Sequence, residues 1–178
     1  YKSGARKFDP TLVYWGLQLQ LLLYLAAALS RVPGSHAAGF FYCRIADPTV
    51  KTESRIREEV EKQIAKKLSL QGISLSDVAI LRAQGGSVAS MVTKDGKPNG
   101  RYAASMVDEA GMEKLLDFAK RKAAELAGEI YRGEMDDSPV ERGAFNACQN
   151  CEYSAICAFD PMRKPRRRLA AKKLDDLL

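Results

Sequence analysis

Ala37-Ala38-Gly39-Phe40-Phe41-Tyr42-Cys43-Arg44-Ile45 is an apolar and aromatic run of strand length set between two helical patterns. It alternates poorly between apolar and polar residues, which predicts an inner strand covered on both faces. On its amino-terminal side Asp9-Pro10-Thr11 opens a long helical pattern, with Asp9 as N-cap and Pro10 at the first helical position. That helix is expected to run to about Arg31, where Val32-Pro33-Gly34-Ser35 stops it. On the other side Asp47-Pro48 ends the strand. Helical spacing then resumes from Glu53 to Leu70 through Ile56, Val60, Ile64 and Leu68, with charges on the opposite face. The expected class is therefore mixed α/β.

Working outward, Tyr1 to Lys7 lacks helical periodicity and reads as a strand end leading into a polar turn at Ser3-Gly4. The stretch from Gln71 to Asn99 carries a short helix near Asp77 to Arg82 and a weak hairpin-like segment from Ser87 across Asp95-Gly96. A long helix is expected from about Asp108 to Arg132, with Met112, Leu115, Leu116, Phe118, Ala119, Ala123 and Leu126 on its apolar side and Gly133 closing it. Glu134 to Asp160 is loop-rich, and no internal repeat is evident.

The chain has 178 residues, 46% apolar and 28% charged, enough for one domain with a real core. Its most apolar stretch, Leu21 to Leu29, is far shorter than the roughly 20 residues of a membrane span, so a buried helix is expected there and no membrane association. The first residues, Tyr1-Lys2-Ser3-Gly4, read as a cut rather than a natural beginning, and no signal peptide is visible. The net charge of +6 is concentrated late, in Arg163, Lys164, Arg166, Arg167, Arg168, Lys172 and Lys173. Such a run suits a polyanion such as DNA, because Lys and Arg displace counterions from phosphates. Taken alone, the same run reads as a solvated tail.

Cys148, Cys151 and Cys157 form a C-x2-C-x5-C arrangement in which a tight turn lets two thiolates approach one centre and a short loop returns the third. Zinc and cubane iron-sulphur clusters both accept four thiolates, so the spacing does not choose between them. A disulfide is disfavoured because nothing in the chain indicates export. Asn146, Gln149 and Asn150 make the loop poor core material, which favours metal binding over buried thiols. Cys43, inside the aromatic strand, is expected to be an ordinary buried thiol. With His36 it is also the in-chain candidate for a fourth ligand.

Gln20 and Tyr24 lie four apart and share one helical face, usually for packing plus a hydrogen bond. A Gln inside so apolar a helix must find a partner or cost about 1–3 kcal/mol.

Tyr1-Lys2-Ser3-Gly4, Gln20-x3-Tyr24, Gly39-Phe40-Phe41-Tyr42 and Cys148-x2-Cys151-x5-Cys157 with Ala158-Phe159-Asp160-Pro161 together resemble the RecB-type branch of the PD-(D/E)XK nucleases. Their order and intervals are most similar to the B subunits of AddAB-type helicase-nucleases, over nearly the whole chain. The resemblance implies a partial restriction-endonuclease-like core with long helices and a C-terminal iron-sulphur loop. It divides residues 1–178 into a stretch with the lysine motif, the Gln-x3-Tyr helix and the core strand (1–50), a helical insertion (51–133), a cysteine loop (134–162) and a basic tail (163–178) wrapping the outside.

By the same resemblance, Lys2 matches the lysine that activates or orients water, and the Tyr1 carbonyl matches a ligand of Mg²⁺. Gln20 and Tyr24 match residues that brace the active site and contact DNA. Cys148, Cys151 and Cys157 match ligands of a 4Fe-4S cluster whose fourth cysteine lies far upstream. Arg163, Lys164, Arg166, Arg167 and Arg168 become candidates for DNA contact. The implied protein is a cytoplasmic DNA exonuclease in a heterodimer with a helicase-nuclease A subunit, acting in double-strand-break repair by recombination. The family's upstream acidic motifs have no counterpart here, so these residues alone are expected to be inactive. No G-x-x-x-x-G-K-[ST] phosphate loop occurs, so ATP binding is not assigned to them. Two other readings are a non-catalytic DNA-binding metal module and a CRISPR-associated RecB-type exonuclease. An Asp before Tyr1 is what the nuclease reading requires, and the long stretch between the aromatic strand and Cys148 disfavours the CRISPR-associated one.

Overall fold

The computed structural model describes residues 7–45, 48–51, 56–134, 136–143 and 145–178. The expectations placed on Tyr1, Lys2, Ser3-Gly4, Asp47 and Glu53 lie outside them. In chain order the elements are α1 (Pro10–Tyr14), α2 (Gln20–Arg31), β1 (Gly39–Tyr42), α3 (Arg57–Lys67), β2 (Gln71–Leu75), α4 (Val78–Gln84), α5 (Gly86–Ala89), β3 (Met106–Val107), α6 (Glu109–Tyr131), β4 (Val140–Arg142), β5 (Phe145–Asn146), α7 (Ser154–Cys157) and β6 (Arg167–Arg168).

The main sheet has the order β1-β2-β3, with β1 antiparallel and β3 parallel to β2. Alternating side chains send its two faces into two cores, as a pleated strand requires. Phe40, Ile73, Leu75 and Val107 join α1, α2 and α6 through Val13, Leu22, Met112, Leu115 and Ala119. Phe41 and Met106 join α4 and α5 through Leu81, Val88 and Met91 on the other face. The mixed α/β class is borne out, as helix layers on both faces of a sheet.

Several expectations need correction. The first helix is not continuous to Arg31: α1 ends at Tyr14, and α2 begins at Gln20. Gly16 adopts φ +79°, and a Cβ there would lie 2.6 Å from Leu126 Cδ1, so the interruption is fixed by backbone handedness and close packing. The caps were legible: the Asp9 carboxylate accepts from the Thr11 N–H at 3.0 Å, with Pro10 at the first helical position.

The aromatic strand is shorter than expected, and among the described residues β1 pairs only with β2, at one end of the order. Phe40 is buried while Phe41 and Tyr42 are half-buried, so the run is not covered on both faces. Cys43 lies beyond the strand end and is exposed, not a buried thiol.

The central strand is β2, from a stretch expected to be a helical insertion. Gly72 sits opposite Phe41, where a Cβ would fall 1.9 Å from the Phe40 carbonyl oxygen. Buried Ser74 donates to Gln84 Oε1 at 2.9 Å, which satisfies its hydroxyl. The short helix near Asp77 is present as α4, and the hairpin-like stretch closes in an antiparallel bridge between Val92 and Pro98. α3 buries none of its residues. The expected long helix is α6, capped by the Asp108 side chain on the Gly111 N–H at 2.7 Å and followed by Gly133 at φ +70°.

The basic tail does not simply wrap the outside, because Leu174 and Leu177 enter the core. Thr11 Oγ1 accepts from the Lys172 N–H at 3.0 Å, and Trp15 Nε1 donates to the Ala170 carbonyl at 3.1 Å. Two hydrogen bonds and two buried leucines thus hold the tail against α1. No described helix is long and apolar enough to cross a membrane.

Candidate functional site

α2 presents Gln20 and Tyr24 on one exposed side, where Gln20 Nε2 donates to the Tyr24 hydroxyl at 2.6 Å. Leu22, between them in sequence, points the opposite way into the core. The sequence argument that a glutamine in an apolar run needs partners is met here by the neighbouring turn. It applies with more force to Gln18, which is 8% exposed and was not singled out.

Gln18 grips the backbone just before α1. Its Oε1 accepts from the Asp9 N–H at 2.8 Å, and its Nε2 donates to the Lys7 carbonyl at 2.8 Å. Phe8, between them, meets Phe40 edge-to-face at a centroid distance of 5.3 Å. Asp9 also pairs with Arg142 of β4, which ties the segment to the small sheet of order β5-β4-β6. A cleft of about 610 Å³ opens beside Lys7 and Phe8, between the β3 end of the sheet and the C-terminal turn carrying Lys173 and Asp175. Tyr1 and Lys2 precede this anchored segment by a few residues and lie outside the described ones.

The three clustered cysteines occupy two short turns. Cys148 lies in a 3-10 turn opened by Asn146, whose side chain accepts from the Cys148 N–H at 3.0 Å. The Cys151 N–H donates to the Cys148 carbonyl at 3.3 Å, closing the turn that the C-x2-C spacing suggests. Cys157 ends α7, and its N–H bonds the Tyr153 carbonyl at 2.9 Å. All three thiols are free, with Cys148 and Cys151 half-buried and Cys157 exposed. Among the described residues no three His, Cys, Asp or Glu side chains converge closely enough to hold a metal ion. The donor set still suits a soft metal centre, being three unoxidised thiols on a ten-residue segment with few apolar neighbours. His36 is committed elsewhere, its Nδ1 lying 2.9 Å from Glu109 Oε1.

Much of the basic run is already paired. Lys164 reaches Asp136 at 2.5 Å and also Asp137; these hydrogen bonds, more than the accompanying attraction, raise its pKa above the ordinary lysine value. Arg168 bonds Glu141 at 2.8 Å, and Arg163 lies 3.5 Å from Asp160. Arg166 lies over Phe159, and Arg167 over Trp15. A row that reads as a free polycation is therefore partly neutralised from within. The aspartates responsible, Asp136-Asp137, were legible as an acidic pair but not as its partner.

Residues 1–158 match the PD-(D/E)XK nuclease superfamily. Over 90% of its length the chain is 37% identical to the B subunit of the ATP-dependent helicase/deoxyribonuclease from Alkaliphilus metalliredigens. It is 34% identical over 99% of its length to the protein so named from Clostridium kluyveri, and 35% identical over 100% to that from Clostridium tetani. It spans 15%, 16% and 17% of the lengths of these three relatives.

Proposed function

Because the chain belongs to the PD-(D/E)XK nuclease superfamily, we propose that it forms the C-terminal part of a DNA exonuclease domain within a two-subunit helicase-nuclease that processes double-strand breaks. The observation that carries this reading is the exposed, hydrogen-bonded Gln20–Tyr24 pair, set on a helix whose other side is core. Two polar groups locked together and turned outward form a rigid brace for a substrate backbone. The names of the relatives support the same activity and the same kind of assembly.

Lys2 is the residue assigned to the chemistry. Hydrolysis of a phosphodiester builds negative charge on phosphorus-bound oxygens as water attacks, and a fixed ammonium beside them stabilises that charge more than the ground state. Mg²⁺, when bound, would activate the water and neutralise the phosphate, with the Tyr1 carbonyl as one ligand. The described residues hold no group of three acidic or other donors fitted to it, so what this chain contributes is the lysine and its brace. Cys148, Cys151 and Cys157 would hold a 4Fe-4S cluster, which supplies folding free energy to a segment poor in apolar contacts. DNA contact by the basic run falls to Arg163, Arg166 and Arg167, since Lys164 and Arg168 are occupied by carboxylates.

In the intact protein with its partner subunit, Lys2→Ala is expected to lower DNA cleavage by about 10²–10³-fold while leaving DNA binding in place. Nuclease assays alongside a binding titration decide it. Cleavage at the wild-type rate removes Lys2 from the mechanism and the proposal with it.

A further inference from the structure

Gln18 has no role in the chemistry proposed above, yet it is buried and makes two hydrogen bonds to backbone on the segment entering α1. Asp9 is extended, at φ −133° and ψ 106°. In an extended segment the Lys7 carbonyl and the Asp9 N–H flank Phe8 on one edge, where an adjoining strand would ordinarily bond them. The carboxamide of Gln18 presents a donor to the first and an acceptor to the second, so one side chain does the work of a strand partner. Gly16, at φ +79°, turns the chain so that Gln18 leaves the helix and faces this edge. The Phe8–Phe40 contact and the Asp9–Arg142 pair hold the same three residues from other sides. Four independent contacts on a three-residue stretch are more than a helix entry needs, because the Asp9 cap already serves that end.

We propose that Gln18 is a positioning residue for the nuclease. By holding the backbone of Lys7 and Asp9 it sets the register and direction of the segment that continues into Lys2. The inference rests on the reading that Lys2 takes part in cleavage. Misplacing a catalytic group by about 1 Å can cost about 10²-fold, so the effect should appear in kcat rather than in affinity for DNA.

The test uses two substitutions in the intact protein with its partner subunit. Gln18→Met keeps the length and removes both bonds. Gln18→Glu keeps the acceptor for Asp9 and loses the donor to Lys7, leaving a carboxylate against a carbonyl. Each should lower kcat at least tenfold while changing neither KM for DNA nor DNA affinity by more than about twofold. Gln18→Glu should also recover as pH falls. The introduced carboxyl, once protonated, regains an O–H donor for the Lys7 carbonyl, and burial raises its pKa toward the assay range. That pH-dependent rescue relative to wild type, read on protein shown folded by its melting curve, is a signature that a merely structural role would not produce. Wild-type kcat in the folded fraction of either variant overturns the inference, even with a lowered melting temperature. If Gln18→Met fails to fold, the pH profile of Gln18→Glu decides alone, and a profile parallel to wild type counts against the inference. Lys2→Ala, run in parallel, separates the two ideas. Full cleavage there removes the reading of Lys2, whereas lost cleavage there with normal Gln18 variants removes only the role of Gln18.

Discussion

Leu22, Ile73, Leu115 and Ala119 in the layered core are almost wholly shielded from water, whereas Phe145, Tyr153, Ile156 and Met162 in the cysteine-bearing segment are half to nine-tenths exposed. Among the described residues 136–168, the buried apolar side chain is Val140. What holds that segment is mostly polar: Lys164 to Asp136 and Asp137, Arg168 to Glu141, and Arg142 to Asp9. Burying a leucine stabilises by about 1.5–3 kcal/mol, while a surface ion pair contributes about 0–1 kcal/mol. The core can fold on its own apolar surface. The segment, which carries three thiols and little else to bury, depends on what those thiols bind.

The largest effect expected from this contrast is that of Cys151→Ser. If the thiols hold a cluster, the variant loses its visible absorbance, and the segment loses stabilisation on the order of 10 kcal/mol, the scale of thiolate metal sites in small domains. Limited proteolysis should then cut between residues 143 and 160 while leaving 9–131 intact. Equal protease resistance in variant and wild type would erase the contrast, and a colourless wild type containing zinc would replace the iron-sulphur centre with another metal.

Next in size is a matched pair of truncations. Leu115→Ala opens a cavity under the sheet and should cost about 2–5 kcal/mol in denaturant unfolding. Ile156→Ala, on an exposed turn, should stay within about 0.5 kcal/mol. Comparable losses from the two would mean that the segment has an apolar core of its own, and the division drawn here would fail.

The same contrast explains what could be read from the chain beforehand. α6 was legible almost to the residue, because it is long, evenly periodic, capped by Asp108 and closed by Gly133. The Gln20–Tyr24 pair and the C-x2-C turn are also local and were legible in kind. β2 was not, since Gln71-Gly72-Ile73-Ser74-Leu75 is short and its glycine is explained only by the approach of the Phe40 carbonyl. The break between α1 and α2 was hidden for a similar reason: Gly16 and Gln18 depart from the helix to meet Leu126, Lys7 and Asp9, all of them non-local partners. In the tail, seven basic residues masked the leucines at 169, 174 and 177 that bury it.

The smallest expected effect compares one chemistry in both regions. Asp117 on α6 and Asp137 before β4 each have a pKa below the ordinary aspartate value, chiefly through a hydrogen bond to a lysine, Lys120 and Lys164 respectively, with the lysine's charge adding to it. A carboxylate whose folded pKa is depressed stabilises the fold above its unfolded value of 3.8, and that contribution is lost as pH falls through the depressed one. Lys164, raised above 10.5, remains charged across this range and contributes no acid dependence of its own. Protonating Asp117 breaks a link within one helical turn, and Leu115, Leu116 and Ala119 still bury that helix. Protonating Asp137 breaks a link between the two ends of the small sheet, where Arg167 N–H bonds the Pro139 carbonyl at 3.0 Å and Leu169 N–H bonds that of Glu141 at 3.3 Å. Amide exchange, corrected for its intrinsic pH dependence, should therefore rise a few-fold at Arg167 and Leu169 below pH 4 and stay unchanged along α6. Lys164→Gln should show the raised exchange already at neutral pH and lose the acid step. An acid step of equal size in that variant would assign the effect to some other carboxylate, and an equal response along α6 would show that the core leans on its surface charges as much as the segment does.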